Sequence, residues 1–335
     1  MPFRRVQDGG FHMFRGLATA AAAALMLAAA PVAANAQVVQ VPAAQAEQGA
    51  RNIAIATAIN ARASELVSSL DQSALERAAS VEDYVAAIDG MAPQLTAARG
   101  ELAAMRAQLR ALPSVGGADG PIQLRVIDHN IADAAAFLER IDGMLAAYPE
   151  VADAFRSNDR ARAERSLAIL AGATMTLVDG QALMMRGRAS LIGSDRSDYA
   201  HAEGIACLYD GIAAMMRVRM ALIEPGAAAG TIETARTCIE HHVQSGRAAL
   251  ARESAVHSPR PAAREMEIRL ADISGRIFDK MAEGGDLLRD SAAAVGAGAQ
   301  EAELDGLMER FILYERELSA LGEEQGRNLI ARVPA

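Results

Sequence analysis

Apolar residues recur along this chain at alternating steps of three and four. From Ile127 the series Ile127, Ile131, Ala134, Leu138, Ile141, Leu145, Tyr148 steps 4-3-4-3-4-3, and near the end Leu304, Leu307, Phe311, Tyr314, Leu318, Leu321 steps 3-4-3-4-3. Met266, Leu270, Ile273, Ile277, Met281 and Leu288 keep nearly the same rhythm. A repeat of about 3.5 residues draws one stripe along a helix, the seam on which helices pack side by side at a shallow angle. No stretch sustains an alternation of Val, Ile and Thr, so the pattern predicts no sheet.

The periodic stretches are separated by helix breakers. The clearest break is Leu112-Pro113-Ser114-Val115-Gly116-Gly117-Ala118-Asp119-Gly120-Pro121, with Pro121 suited to a first helical turn. Others fall at Tyr148-Pro149, Gly193-Ser194-Asp195, Glu224-Pro225-Gly226, Ser258-Pro259-Arg260-Pro261 and Gly296-Ala297-Gly298. Ser80 ahead of Asp83, and Ser157-Asn158-Asp159, read as N-caps. The outcome is about eight helices, most near 30 residues and so roughly 45 Å long. Helices of matched length on short loops predict an all-α fold of long antiparallel helices in one or more up-and-down bundles, with coiled-coil-like packing. The break near Gly193 divides the chain into a bundle over 37–193 and a second over 197–335.

The first 36 residues read as an address. Arg15 precedes an apolar run, Leu17 to Ala30, which Pro31 breaks, and Ala34-Asn35-Ala36 supplies the small-x-small pattern of a signal-peptidase site. This predicts a Sec-type bacterial signal at 1–36, cleaved before Gln37, with Met13 as the natural start. Arg4-Arg5 resembles a twin-arginine signal but is separated from the apolar run by Asp8 and about a dozen residues. No cysteine stands beside the cleavage site for lipid attachment. Nor does any later segment reach the ~18 uninterrupted apolar residues of a spanning helix. The expected product is periplasmic or secreted, with no membrane span after cleavage.

Composition narrows the function classes. The chain carries a net charge of −9, and removing residues 1–36, with three arginines and one aspartate, makes it more acidic still. Phosphate backbones and anionic lipid call for clustered cations, so neither nucleic acid nor a membrane surface is an expected partner. Hydrophobic residues make up 51 %, yet aromatics are only 4 % and tryptophan is absent. Small-molecule pockets are walled mainly by aromatic and bulky apolar side chains, so this alanine-rich chain points away from an enzyme. It contains no G-x-S-x-G, no phosphate-cradling glycine loop and no H-E-x-x-H, and its loops are short. The reading is a non-enzymatic scaffold, interaction or accessory protein that meets a partner protein, or another copy of itself, through its helix faces.

Two cysteines, Cys207 and Cys238, are the only ones in the chain. In an oxidising compartment a lone pair predicts an intramolecular disulfide. Counted from Pro225, Cys207 lies 18 residues before the turn and Cys238 13 after it, an offset that an asymmetric turn running through Gly230 would have to absorb. An alternative reading uses the same sulfurs as thiolates in a Zn or Cu site, with His201, Glu203, Cys207, Cys238, His241 and His242 as candidate ligands on two successive helices. On this reading Glu203, Cys207 and Asp210 share one face, while Cys238 shares a face with His241 and His242. The two readings exclude each other at this site. No other cofactor is expected. Met184, Met185, Met215, Met216 and Met220 would suit Cu(I), but their spacing reads as core filling.

One recurrence stands out. Asp179-Gly180-Gln181-Ala182-Leu183-Met184-Met185-Arg186-Gly187-Arg188 is echoed 31 residues later by Asp210-Gly211-Ile212-Ala213-Ala214-Met215-Met216-Arg217-Val218-Arg219. Apolar-Asp-Gly also occurs at Asp89-Gly90, Asp142-Gly143 and Asp305-Gly306, and a mid-helix glycine costs about 1 kcal/mol against alanine, which suggests close approach between helices. The charge runs Glu309-Arg310, Glu315-Arg316-Glu317 and Glu323-Glu324 read as a solvated helix face.

Overall fold

The computed structural model describes residues 42–330, apart from 71–73, 76, 77, 79, 158, 221 and 257–260. The signal expected at 1–36 lies outside the described residues. Eight helices account for nearly all the rest: α1 (Ala43–Ser68), α2 (Val81–Arg110), α3 (Ile122–Arg156), α4 (Arg160–Ala189), α5 (Ser197–Arg219), α6 (Pro225–Ser254), α7 (Pro261–Gly296) and α8 (Glu301–Ile330). No strand occurs among the described residues. The fold is all-α.

Each helix runs antiparallel to the next. Along α7 and α8, Arg276 meets Glu324, Gly284 meets Tyr314 and Asp290 meets Arg310, so residues ascending one helix face residues descending the other. Arg99–Asp142 and Arg110–Glu139 set the same sense for α2 and α3. Helix α1 also lies against α3, and α5 against α7 and α8, while α4 packs along both α3 and α5. One contiguous cluster of buried side chains runs from Ile59 to Leu318, across the 190–196 loop.

The periodic seams form this core. Ile131, Ala134, Leu138, Ile141, Leu145 and Tyr148 are buried, as are Leu270, Ile273, Ile277, Met281 and Leu288, and Leu304, Leu307, Phe311, Tyr314 and Leu318. Full burial of one large aliphatic or aromatic side chain is worth about 1.5–3 kcal/mol, so packing rather than propensity holds these helices. Both local caps form: Ser80 Oγ accepts from the Asp83 amide at 3.0 Å, and Asp159 Oδ1 accepts from the Arg162 amide at 3.0 Å. The long loop before α3 closes on Asp128, whose carboxylate accepts from the Ser114 hydroxyl and from the amides of Val115, Gly116 and Gly117.

The expected break at Tyr148-Pro149 does not occur: Pro149 sits inside α3. It removes one backbone donor and crowds the preceding turn, at about 3 kcal/mol. Beyond it Val151, Ala152 and Ala154 are buried, and the Phe155 ring packs edge-on to Tyr84 at 6.2 Å. That tertiary contact carries the helix through. The repeated glycines need a similar correction. Nothing comes within 4 Å of a Cβ built at Gly90, Gly143 or Gly306, so these do not mark close helix approach. Gly180 and Gly211 are covered by the Arg140 and Leu288 side chains, not by a neighbouring backbone.

Helix α4 has the length and composition of a membrane span over Ala161–Ala189, but 61 % of its most apolar window is buried between its neighbours.

Candidate functional site

Cys207 on α5 and Cys238 on α6 lie at disulfide-bonding distance, with Cα atoms 6.0 Å apart. The register differs from the expectation in an instructive way. Helix α6 begins at Pro225, with Gly230 inside it, whereas α5 stops at Arg219. The offset is therefore absorbed before Pro225, in the five residues Met220–Glu224, and not in a loop through Gly230. Cys207 then stands 12 residues above the end of α5 and Cys238 13 into α6, which brings them level.

His242, one turn beyond Cys238, completes a compact group: one donor atom from each of Cys207, Cys238 and His242 lies within 4.8 Å of the other two. Cys207 is buried and the other two are half-buried. Burial, and then the neighbouring His241, hold the His242 imidazole below its ordinary range, and its Nδ1 is buried with no hydrogen-bond partner among the described residues. The other candidate ligands go elsewhere. His241 points to solvent with its ring 5.1 Å from that of His242. Glu203 and Asp210 turn toward α4, where both act on Arg186. His201 is buried beside Arg188. The six-residue ligand set thus reduces to Cys207, Cys238 and His242.

His201 belongs to a buried polar cluster between α3, α4 and α5. Arg188, on α4, is 2 % exposed. Its Nε and Nη2 donate to Asn130 Oδ1 at 3.0 and 2.7 Å, and Nη1 approaches Met185 Sδ at 3.7 Å. Burial lowers the guanidinium to about 10 against the pull of Asp133 and Asp198, so it stays charged at neutral pH. Burial and the Arg188 charge together push His201 down to about 4, which keeps that imidazole neutral. Next to it, the Ser197 amide and hydroxyl donate to the Glu253 carboxylate at 3.1 and 2.6 Å, which ties α5 to α6. Sequence reading passed over this cluster because its members are scattered over four helices. The one available signal was Arg188 on the apolar side of α4, level with Met184 and Met185.

A second buried group corrects the solvated-face reading of Glu315-Arg316-Glu317. Arg316 and Glu317 are exposed, but Glu315 is 1 % exposed. Neither of its carboxylate oxygens has a hydrogen-bond partner among the described residues, and the buried hydroxyls of Tyr209 and Tyr314 have none either. Burial drives the Glu315 carboxyl well above its ordinary range, and burial together with Glu315 does the same to both phenols. The spacing Phe311, Tyr314, Glu315, Leu318 already carried this placement, since those positions share one face of a helix.

The 31-residue recurrence also acquires a geometry. Asp179 accepts from Arg217 at 2.7 Å, and Asp210 pairs with Arg186. The aspartate of each copy meets the arginine of the other, a reciprocal arrangement that antiparallel packing of α4 on α5 produces. Between the two pairs Met184, Met185, Met215 and Met216 are buried, as core filling requires. Reversing one pair tests this. Asp179→Arg should cost about 0.5–1 kcal/mol, and adding Arg217→Asp should restore most of it, because partly exposed pairs are worth little singly but couple when they touch. Strictly additive losses in urea unfolding would break the assignment.

No protein-family model matches this chain, and no curated protein or solved structure matches it either.

Proposed function

We propose that this chain is an exported, non-enzymatic helical protein that works as a periplasmic scaffold or accessory factor, engaging a partner protein or a second copy through the outer face of α4. The observation that carries this reading is a pair of large exposed apolar side chains on that face. Ile169 is 54 % exposed and Leu183 66 % exposed, and their separation of 14 positions brings both within about 40° on the helix. Gly172 and Thr176 lie between them, exposed, and no charged residue occurs from Ser166 to Val178. Arg165 stands one turn before Ile169 and Asp179 one turn before Leu183, and large exposed apolar side chains bordered by charge suit an interaction surface. The signal at 1–36 and a cysteine pair at bonding distance fit an oxidising compartment.

Crosslinking in the periplasm tests the reading. The exported form should start at Gln37 by mass spectrometry and be captured as one defined adduct. The double variant Ile169→Glu/Leu183→Glu should lose that adduct while keeping its helix content and unfolding midpoint. A protein recovered only as a free monomer, or an adduct indifferent to both substitutions, would refute it.

A further inference from the structure

We propose that Cys207, Cys238 and His242 form a redox-gated site for a soft transition-metal ion, copper(I) being the ion its donors suit best. The argument starts from dimensions. Metal–sulfur bonds of about 2.3 Å and metal–nitrogen bonds of about 2.0 Å place two donors of one ion no more than about 4.6 Å apart. The donor atoms of Cys207, Cys238 and His242 lie within 4.8 Å of one another, close to that limit, and opening the S–S bond lets the two sulfurs part to the separation one ion needs. Two thiolates and an imidazole are a set that Cu(I) and Zn(II) both accept.

A thioether packed against the same stretch of α5 tips the choice. Gly204 stands one turn before Cys207 on α5, and a Cβ built there would lie 2.1 Å from Met281 Cε, 3.8 Å from Met281 Sδ and 3.3 Å from His242 Cβ. The missing side chain at Gly204 is what admits the buried Met281 thioether from α7 beside His242. Thioether sulfur is a ligand for Cu(I) and a poor one for Zn(II). His242 Nδ1 is buried without a partner among the described residues, the position of a ring nitrogen that a ligand would satisfy.

The gate is the sulfur pair itself. With Cys207 and Cys238 joined, neither sulfur is a thiolate and the donor set is closed. A dithiol reductant opens it by exchange. Its thiolate attacks Cys238, the less buried sulfur, the S–S bond breaks, and Cys207 leaves as a thiolate and takes up a proton. The second thiol of the reductant then displaces Cys238. The protein ends with two thiols and the reductant with one disulfide, for two electrons and two protons transferred. Cu(I) binding releases those two protons and leaves a bis-thiolate complex.

The full-length chain, reduced with a phosphine and handled without oxygen, is titrated with Cu(I) against a chromophoric Cu(I) chelator. The expected result is one Cu(I) per reduced chain and none per oxidised chain. His242→Gln should weaken binding at least as much as the 10–100-fold that losing an outer-shell partner costs, and Met281→Leu less. His241→Gln, a solvent-facing neighbour, should bind as the parent does. Equal binding by the oxidised chain, or affinity unchanged in His242→Gln, overturns the site. Tighter binding of Zn(II) than of Cu(I), indifferent to Met281→Leu, overturns the copper assignment. Loss of helix content on reduction, read by circular dichroism, also overturns it, because the site needs α5 and α6 held at their packed separation.

Discussion

Replacing Arg188 with methionine should destabilise the fold by about 3–5 kcal/mol, the usual cost of removing one partner from a buried charge pair. The reason is the company Arg188 keeps. Asp198 is 3 % exposed, and it and Asp133 are the acidic groups whose charge Arg188 feels. Asn130 Oδ1 would lose both guanidinium donors at once. Methionine replaces much of the arginine stem, so the loss reads the charge and not a cavity. In urea the midpoint should fall with little change in slope. The pair Arg188→Met/Asp198→Leu should recover a large part of the loss, since the buried Asp198 charge goes with its partner and Asp133 keeps His129 at 2.8 Å. A near-neutral Arg188→Met would mean that water reaches Asp198.

The same variant has a pH signature. His201 titrates at about 4 in the fold against an ordinary 6.5, so its native state resists protonation. A depressed folded value contributes stability that is present above 6.5 and is lost as pH falls toward 4, about 3 kcal/mol over that span. Part of the depression comes from the Arg188 charge, so Arg188→Met should flatten the acid limb.

Glu315→Gln should stabilise the protein by about 2–4 kcal/mol at pH 8 and by almost nothing at pH 4, because glutamine is neutral without the proton that the buried carboxyl must take up. The sign follows from the direction of the shift. A carboxyl whose folded value is raised by burial contributes fully below its unfolded value, and that contribution is lost as pH rises. The parent should therefore weaken toward high pH through Glu315 and toward low pH through His201, with its best stability between the two. Tyr209 and Tyr314, the ionisable groups whose influence Glu315 shares, are pushed upward and stay neutral throughout. Urea midpoints of parent and Glu315→Gln from pH 4 to 9 supply the check. A difference that did not vary with pH would put the effect in packing.

The amino-acid sequence by itself determined what depends on near neighbours along the chain. The alternating three-and-four spacing of Ile131 to Tyr148 and of Leu304 to Leu318 specified helices and their buried stripes, because side chains three and four apart share a face whatever lies opposite. Ser80 and Asp159 cap within their own first turns. Two cysteines alone permit one intramolecular pairing. Tertiary structure decided whatever depends on what lies across the interface. Pro149 stays in a helix because Val151, Ala152 and Ala154 find a core beyond it. The Asp-Gly recurrence becomes two reciprocal ion pairs only when α4 and α5 lie antiparallel in one register. Glu315 looked like its solvated neighbours until α8 packed against α5 and α7, and His201 looked like a ligand until Arg188 arrived from α4. Burial and charge act through space, and a spacing read along one helix cannot say which charge, sulfur or empty glycine face the next helix brings.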